Sequence, residues 1–416
     1  MSAAVHLPGF TVIARALRDT TELLAQEIVQ PSATAPPWSD FEWGVARAVC
    51  AMHGFATLLA NRLHWRGPAA WSAFLEDQRS HSRAHYEGAG EVLAALNDAA
   101  QDAGIACIAL KGSALRALQI HLPGERPMAD IDLLVGSRDA GACSAMLTRL
   151  GYEAAGVTPR HATFIPVDRR PVHHFGEHLC NPLKIDLHTR ITERLPIAEV
   201  DVTAQLWPAQ PHPGINGYAS TAALLRHLLL HAAGNLCAHS LRFIQLYDIA
   251  RLALRMQALD WAELLGPVES RADSWWMYPP LLLAQRYVPG SIGPEVLAAF
   301  GEICPRWLRG RARRYDLSEV SLSNLRIGAL PGYEWVRTPR ELLHYAKSRV
   351  LPGRVALKEL DDMLRAQPSY AAVRWYDASH GERILRWLFS RPPRVQTIVS
   401  VRAALDAVDA PGVNLS

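Results

Sequence analysis

Hydrophobic residues recur at helical spacing through the first hundred positions. Phe10, Ile13, Ala14 and Leu17, continued by Leu23, Leu24 and Ile28, predict one helix. The proline-bounded stretch 31–37 breaks it, and residues 41–63 predict a second helix, apolar on most faces. A third is expected over about 69–103. Its polar stretch, 78–87, carries His81 and His85 four residues apart. That spacing suits a pair of metal ligands, but a solvated helix face is the preferred reading.

At Ile105 the period changes. Residues 105–110 form a short apolar run that predicts a buried strand, followed by Lys111-Gly112-Ser113 and an amphipathic helical pattern from Ala114. Residues 130–135, Asp-Ile-Asp-Leu-Leu-Val, predict a second strand, and Ile185-Asp186-Leu187 a third. Alternation along a strand puts Asp130 and Asp132 on one face and Ile131 and Leu133 on the other. Between them, Ser137 to Asp139 reads as a helix start, with helix over 140–150 closed by Gly151. Further strands are expected at 152–155, about 161–167 and about 171–180, the last carrying His173, His174 and His178 as a wet sheet face. From Ser220 onward the pattern is helical. Leu224, Leu225, Leu228 and Leu229 form a buried stripe ending near Asn235, and Phe243 to Ala250 forms the next. About five more helices follow, punctuated at Pro279-Pro280, Pro289-Gly290, Pro331-Gly332, Pro352-Gly353 and Pro392-Pro393.

Composition narrows the classes. At 416 residues, two or three domains of ~150 residues are expected. A net charge of +3 argues against a nucleic-acid binder that relies on a global basic field. Two local basic runs, 306–314 and 337–354, interleave Trp307, Trp335 and Tyr345, but solvated helix faces account for them more simply. The six cysteines are scattered without a C-x-x-C, so neither a zinc knuckle nor a dense disulfide framework is expected. The N-terminal residues lack the pattern of a secretory signal, and no apolar run approaches the ~20 residues of a membrane-spanning helix, so a cytoplasmic protein is expected.

The candidate chemistry lies in the strands. Two carboxylates two residues apart on one strand face repel each other unless a cation lies between them. With Asp186 they make three carboxylates beside a glycine turn, a set suited to hard divalent cations and a phosphate. Charges on so apolar a strand need partners, which disfavours reading them as edge charges. Lys111 beside the turn and Arg126 four residues before Asp130 are the cationic candidates for phosphate binding. His188 shares a face with Asp186 and is open to base, ligand or orienting roles. His227 and His231 have the i, i+4 spacing of zinc helices, but no glutamate adjoins His227, so a zinc hydrolase is disfavoured.

The ordered set of Gly112-Ser113, Asp130-x-Asp132 and Asp186 resembles the nucleotidyltransferases of the DNA polymerase β superfamily. More narrowly, Leu110-Lys111-Gly112, Arg126, Asp130 to Val135, Gly151-Tyr152 and Asp186-Leu187-His188 resemble a bacterial family of uncharacterised nucleotidyltransferases. The runs from Thr221 and Tyr247 add matches at His231 and Asp248.

The resemblance implies an α+β fold. A small mixed-sheet, polymerase β-like core (104–215) would be flanked by N-terminal helices (1–103) and a mainly helical C-terminal half (216–416). It implies transfer of a nucleoside monophosphate from a triphosphate to an acceptor hydroxyl, with release of pyrophosphate. Asp130, Asp132 and Asp186 would hold two Mg²⁺ ions, with Mn²⁺ as a substitute. Lys111, Gly112, Ser113 and Arg126 would bind the nucleotide. His188, His231 and Asp248 would orient those groups or line the acceptor pocket. The acceptor stays open among small molecule, peptide and protein. A toxin-type enzyme modifying tRNA and a non-catalytic nucleotide- or partner-binding protein are the alternatives.

Overall fold

The computed structural model describes residues 7–157, 161–168, 175–353, 378–390 and 392–409. The chain opens with helices α1 (Phe10–Val29), α2 (Asp40–His53), α3 (Ala56–Arg62) and the long α4 (Ala69–Asp102). Residues 41–63 are two helices rather than one. Gly54, at φ 72°, ends α2 in a left-handed conformation that glycine adopts without strain. Ser39 and Glu42 close the start of α2 as a capping box.

Then come β1 (Ala106–Ala109), α5 (Gly112–Ala117), β2 (Asp130–Val135), α6 (Ala140–Arg149), β3 (Tyr152–Val157), β4 (His161–Pro166) and β5 (Lys184–His188). A hairpin, β6 (Thr192–Leu195) and β7 (Ala198–Asp201), precedes the short α7 (Thr203–Leu206) and β8 (Gly214–Asn216). The fold is mixed α+β around a six-stranded sheet in the order β3-β4-β5-β2-β1-β8. Strand β2 pairs in parallel with β5 and antiparallel with β1, so the sheet is mixed. Strand β8, parallel to β1, lacks a sequence signature because three residues are too few to show alternation.

Of the strand expected at about 171–180, the described part, 175–180, is not strand. Residues 175–180 are bend and turn, and His173 and His174 lie outside the described residues. The expected solvated face of α4 is also overturned. Gln78, His81, Ser82 and His85 are buried, because this face packs on that loop. The side chain of Gln78 donates to Glu177 O and accepts from Glu177 N–H, and Leu179 N–H donates to His81 Nδ1.

The rest is helical: α8 (Thr221–Cys237), α9 (Phe243–Ala253), α10 (Ala258–Leu265), α11 (Tyr278–Tyr287), α12 (Pro294–Ile303), α13 (Arg306–Ala312), α14 (Pro339–Val350), α15 (His380–Ser390) and α16 (Val395–Asp409). Pro279-Pro280 marks the boundary between a 3₁₀ helix (Val268–Met277) and α11, sitting in the first turn of α11, where the missing N–H groups cost nothing. Of the aromatics in or beside the basic runs, Trp335 and Tyr345 are buried and Trp307 is exposed, so two of the three serve the core.

The two faces of the sheet meet different partners. Ile131, Leu133, Val135, Ile185 and Leu187 form a dry layer with residues of α4 and α6. On the other side a larger core joins Ile108, Leu110 and Leu134 to α1 to α3, α8, α9 and α11. Helix α8 reaches into that core on most of its circumference, which explains its nearly uninterrupted apolar sequence. Among the described residues no single helix is long and apolar enough to cross a membrane.

Candidate functional site

Strands β2 and β5 pair in register, Asp130 with Lys184 and Asp132 with Asp186. Parallel pairing with period-2 alternation therefore sets Asp130, Asp132, Asp186 and His188 on the face opposite the dry layer. That face lines a cavity of about 380 Å³ roofed by α8, α9 and the β6 strand. Lys111, Gly112, Arg126, Asp130, Asp132, Asp186, His188, His231 and Asp248 all line it. Ser113 does not. Its hydroxyl is buried without a hydrogen-bond partner among the described residues, and its N–H donates to Leu110 O.

Asp132 is the best-partnered of the three carboxylates. Its Oδ1 accepts from Lys111 Nζ at 3.0 Å and meets His188 Nε2 at 3.0 Å. Burial would raise its carboxyl, but Lys111 and His188 outweigh that and hold it well below the usual range. Asp130 is open to the cavity yet walled in by protein. That confinement, with the charge of Asp132 beside it, pushes its carboxyl up to about 6. Asp186 accepts from Thr163 Oγ1 at 2.6 Å, with His161 Nε2 3.7 Å away. Among the described residues no three His, Cys, Asp or Glu side chains stand so that they ligate a metal together.

The two cations are held differently. Lys111 has φ 45° and ψ −113°, a region L-residues rarely occupy. Its N–H donates to Tyr218 Oη at 3.2 Å, and Tyr218 Oη lies 2.8 Å from His227 Nδ1. Burial keeps His227 neutral, and its ring shares a hydrogen bond with the tyrosine hydroxyl. His227 thus supports the strained turn that aims Lys111. Burial lowers the Lys111 ammonium, but Asp132 and Asp130 more than compensate, so it stays charged.

Arg126 Nε donates to both oxygens of Asp248 on α9, at 3.0 and 2.9 Å, and His121 Nε2 meets the same carboxylate at 2.8 Å. Burial raises Asp248, but Arg126 and His121 hold it below the usual range. Asp248 therefore fastens the helical half to the segment before β2. Gly112 makes room for this arrangement, since a Cβ there would stand 2.5 Å from Arg126 Nη1.

Several cavity residues carry no sequence signal. Glu193 on β6 reaches to 3.9 Å from His231 Nδ1, and Gly234 on α8 leaves the room it occupies. Burial and the nearby Lys111 depress His231. His161 and Thr163 reach the site because β4 pairs with β5, placing Thr163 opposite Asp186. Glu177, Arg190 and Arg242 arrive from a loop, a strand connection and the start of α9. The His161 ring also lies 5.0 Å from that of His188, centroid to centroid.

A family model described as an uncharacterised nucleotidyltransferase matches residues 39–288. The chain belongs to that family. No curated protein and no solved structure matches it.

Proposed function

We propose that this member of the nucleotidyltransferase family transfers a nucleoside monophosphate from a Mg²⁺-bound nucleoside triphosphate to an acceptor hydroxyl, releasing pyrophosphate. We read its sheet as a polymerase β-like core. The observation that carries this is the set of three carboxylates on one face of adjacent strands, with Lys111 and Arg126 in the same cavity.

Asp130, Asp132 and Asp186 are the residues that would hold the metal. The donor set suits Mg²⁺, which takes oxygen ligands and needs only one or two carboxylates beside waters and phosphates. Bound there, the cation supplies charge neutralisation at the phosphates. The raised carboxyl of Asp130 supports a site completed by a cation that arrives with its nucleotide.

The chain's own groups do the rest. Lys111, released from Asp132, is placed to meet a phosphate oxygen. Arg126 is fixed by Asp248 before substrate arrives, so little ordering is lost on binding. His188 orients Asp132, and Thr163 orients Asp186. In the reaction the acceptor oxygen bonds to the α-phosphorus, the bond from that phosphorus to the bridging oxygen breaks, and the hydroxyl proton passes to a cavity carboxylate.

The test is incubation with labelled ATP, CTP, GTP and UTP plus Mg²⁺, alongside an Asp130→Ala/Asp132→Ala double variant. Mg²⁺-dependent labelling that disappears in the variant is expected. Undiminished labelling in the variant overturns the assignment.

A further inference from the structure

A second cavity, of about 670 Å³, adjoins the first. Pro127, Glu177 and Arg242 line both, so the two meet at one partition. Charge disappears across it. The first cavity is lined by aspartates, glutamates, histidines and arginines. Beyond the partition the walls are largely apolar, with Met52, Phe175, Leu322, Val399 and Ala403 beside the uncharged Thr57, Gln78 and Ser400, and among the described residues no charged side chain lines it other than the shared two. Its size falls in the range of about 300–1,000 Å³ that accommodates drug-sized ligands, well beyond what a nucleobase fills.

The partition is built in advance. Arg242 Nε donates to Met52 O at 3.0 Å, and among the described residues no carboxylate pairs with its guanidinium. Gly54 lets it approach: a Cβ there would stand 3.4 Å from Arg242 Nη2 and 3.3 Å from Ile244 Cβ. Glu177 is fixed by Gln78 through its backbone and faces His85 Nδ1 at 3.3 Å. Gly176, at φ 78°, is needed for this, because a Cβ there would overlap the Gln78 carboxamide. The buried histidines and glutamine of α4 thus hold one side of the partition, and the turn between α2 and α3 holds the other.

We propose that the second cavity is the acceptor site. It takes a small, largely apolar molecule bearing a hydroxyl, and presents that hydroxyl between Glu177 and Arg242 toward the nucleotide. This rests on the nucleotidyl-transfer reading. Glu177 accepts a hydrogen bond from the hydroxyl and Arg242 donates one to its oxygen, while the apolar body lies against α2 and α16. Glu177 and Arg242 are positioning residues for the acceptor.

The experiment uses 2-naphthalenemethanol, a fluorescent apolar alcohol, as the probe on the full chain. Val399→Trp narrows the second cavity without touching the first, and Ala403→Leu is the milder second variant, with circular dichroism melts checking that each is folded. Expected results are saturable probe binding to the wild type, unchanged by saturating Mg·ATP, and at least a tenfold loss of probe affinity in the folded variants. Their Mg·ATP affinity should stay within twofold of wild type. Absence of probe binding to wild type, equal binding in the variants, or competition between probe and Mg·ATP each overturns the proposal, the last by assigning the cavity to the nucleobase. Absence of Mg·ATP binding by the wild type would instead sink the transfer reading, and the probe titrations would show that separately.

Discussion

Strands β2 and β5 turn one face to a dry layer and the other to a cavity, and the faces carry opposite energetic burdens. On the dry side Ile131, Leu133, Ile185 and Leu187 are sealed beneath α4 and α6. Every group there is satisfied by removal from water. On the cavity side Asp130, Asp132 and Asp186 crowd together, and among the described residues only Asp132 has a lysine on it. The same backbone holds both, so the dry face provides the rigidity that keeps like charges close.

Adjacent residues on β2 should therefore fail in different ways. Asp132→Ala is expected to reduce nucleotidyl transfer by roughly 1,000-fold, in line with loss of a group that organises transition-state charge, while the protein stays folded. Leu133→Ala, one residue on, should cost about 3 kcal/mol through the cavity it leaves. Its transfer rate should be close to normal at temperatures where it is folded. Denaturant melts and transfer rates on both variants test the division. A fully active Asp132→Ala would break it.

The next contrast sets the two cations against each other. Lys111 pairs with a carboxylate of the site, whereas Arg126 pairs with the structural Asp248. Arg126→Ala leaves the nearly inaccessible Asp248 with His121 as its remaining partner, and should destabilise the fold by about 3 kcal/mol. Adding Asp248→Asn should recover part of that loss. Strictly additive losses in this double-mutant cycle would mean that the pair does not couple the halves.

The sequence made one face legible and left the other wall of the cavity dark. Period-2 alternation through Asp130, Asp132 and Asp186 identified which side chains share a face, because strand geometry leaves no alternative. The helical wall follows no comparable rule. Glu193, Glu177 and Arg242 reach the site from a hairpin, a loop and a helix start, positions fixed by tertiary packing that no local period encodes. The burial of His81 and His85 is hidden in the sequence for the same reason. A polar helix face reads as solvated until the loop that covers it is known. His227 shows the converse, since its zinc-like spacing with His231 serves a hydrogen bond to Tyr218.

The crowding of the cavity face has a pH signature. The Asp130 carboxyl is pushed up to about 6, above its unfolded value near 4. The folded state therefore holds a proton that the unfolded chain releases over that interval, and stability falls as pH rises from about 4 to about 6. In metal-free buffer, Asp130→Asn should melt higher than wild type at pH 7, with the gap closing toward pH 4. The open position of Asp130 in the cavity keeps the effect modest. A gap of the same size at both pH values would remove the electrostatic account of this face.

The smallest expected effect concerns Ser113, a residue whose motif suggests phosphate binding and whose position argues otherwise. Its hydroxyl is buried and has no partner among the described residues, it lies outside the cavity that holds every other candidate, and its N–H is already committed to Leu110 O. A buried hydroxyl with no partner carries an unrecovered desolvation cost, so its removal should be neutral or slightly stabilising, within about 1 kcal/mol. Ser113→Ala should likewise leave Mg·ATP affinity within twofold, whereas Lys111→Ala, which strips the cavity of a charge, should weaken it by about tenfold or more. Calorimetry on the two variants decides the matter. Equal losses would mean that the turn rearranges on binding to bring the hydroxyl onto the phosphate, and the strained Lys111 backbone would then be the hinge of that movement.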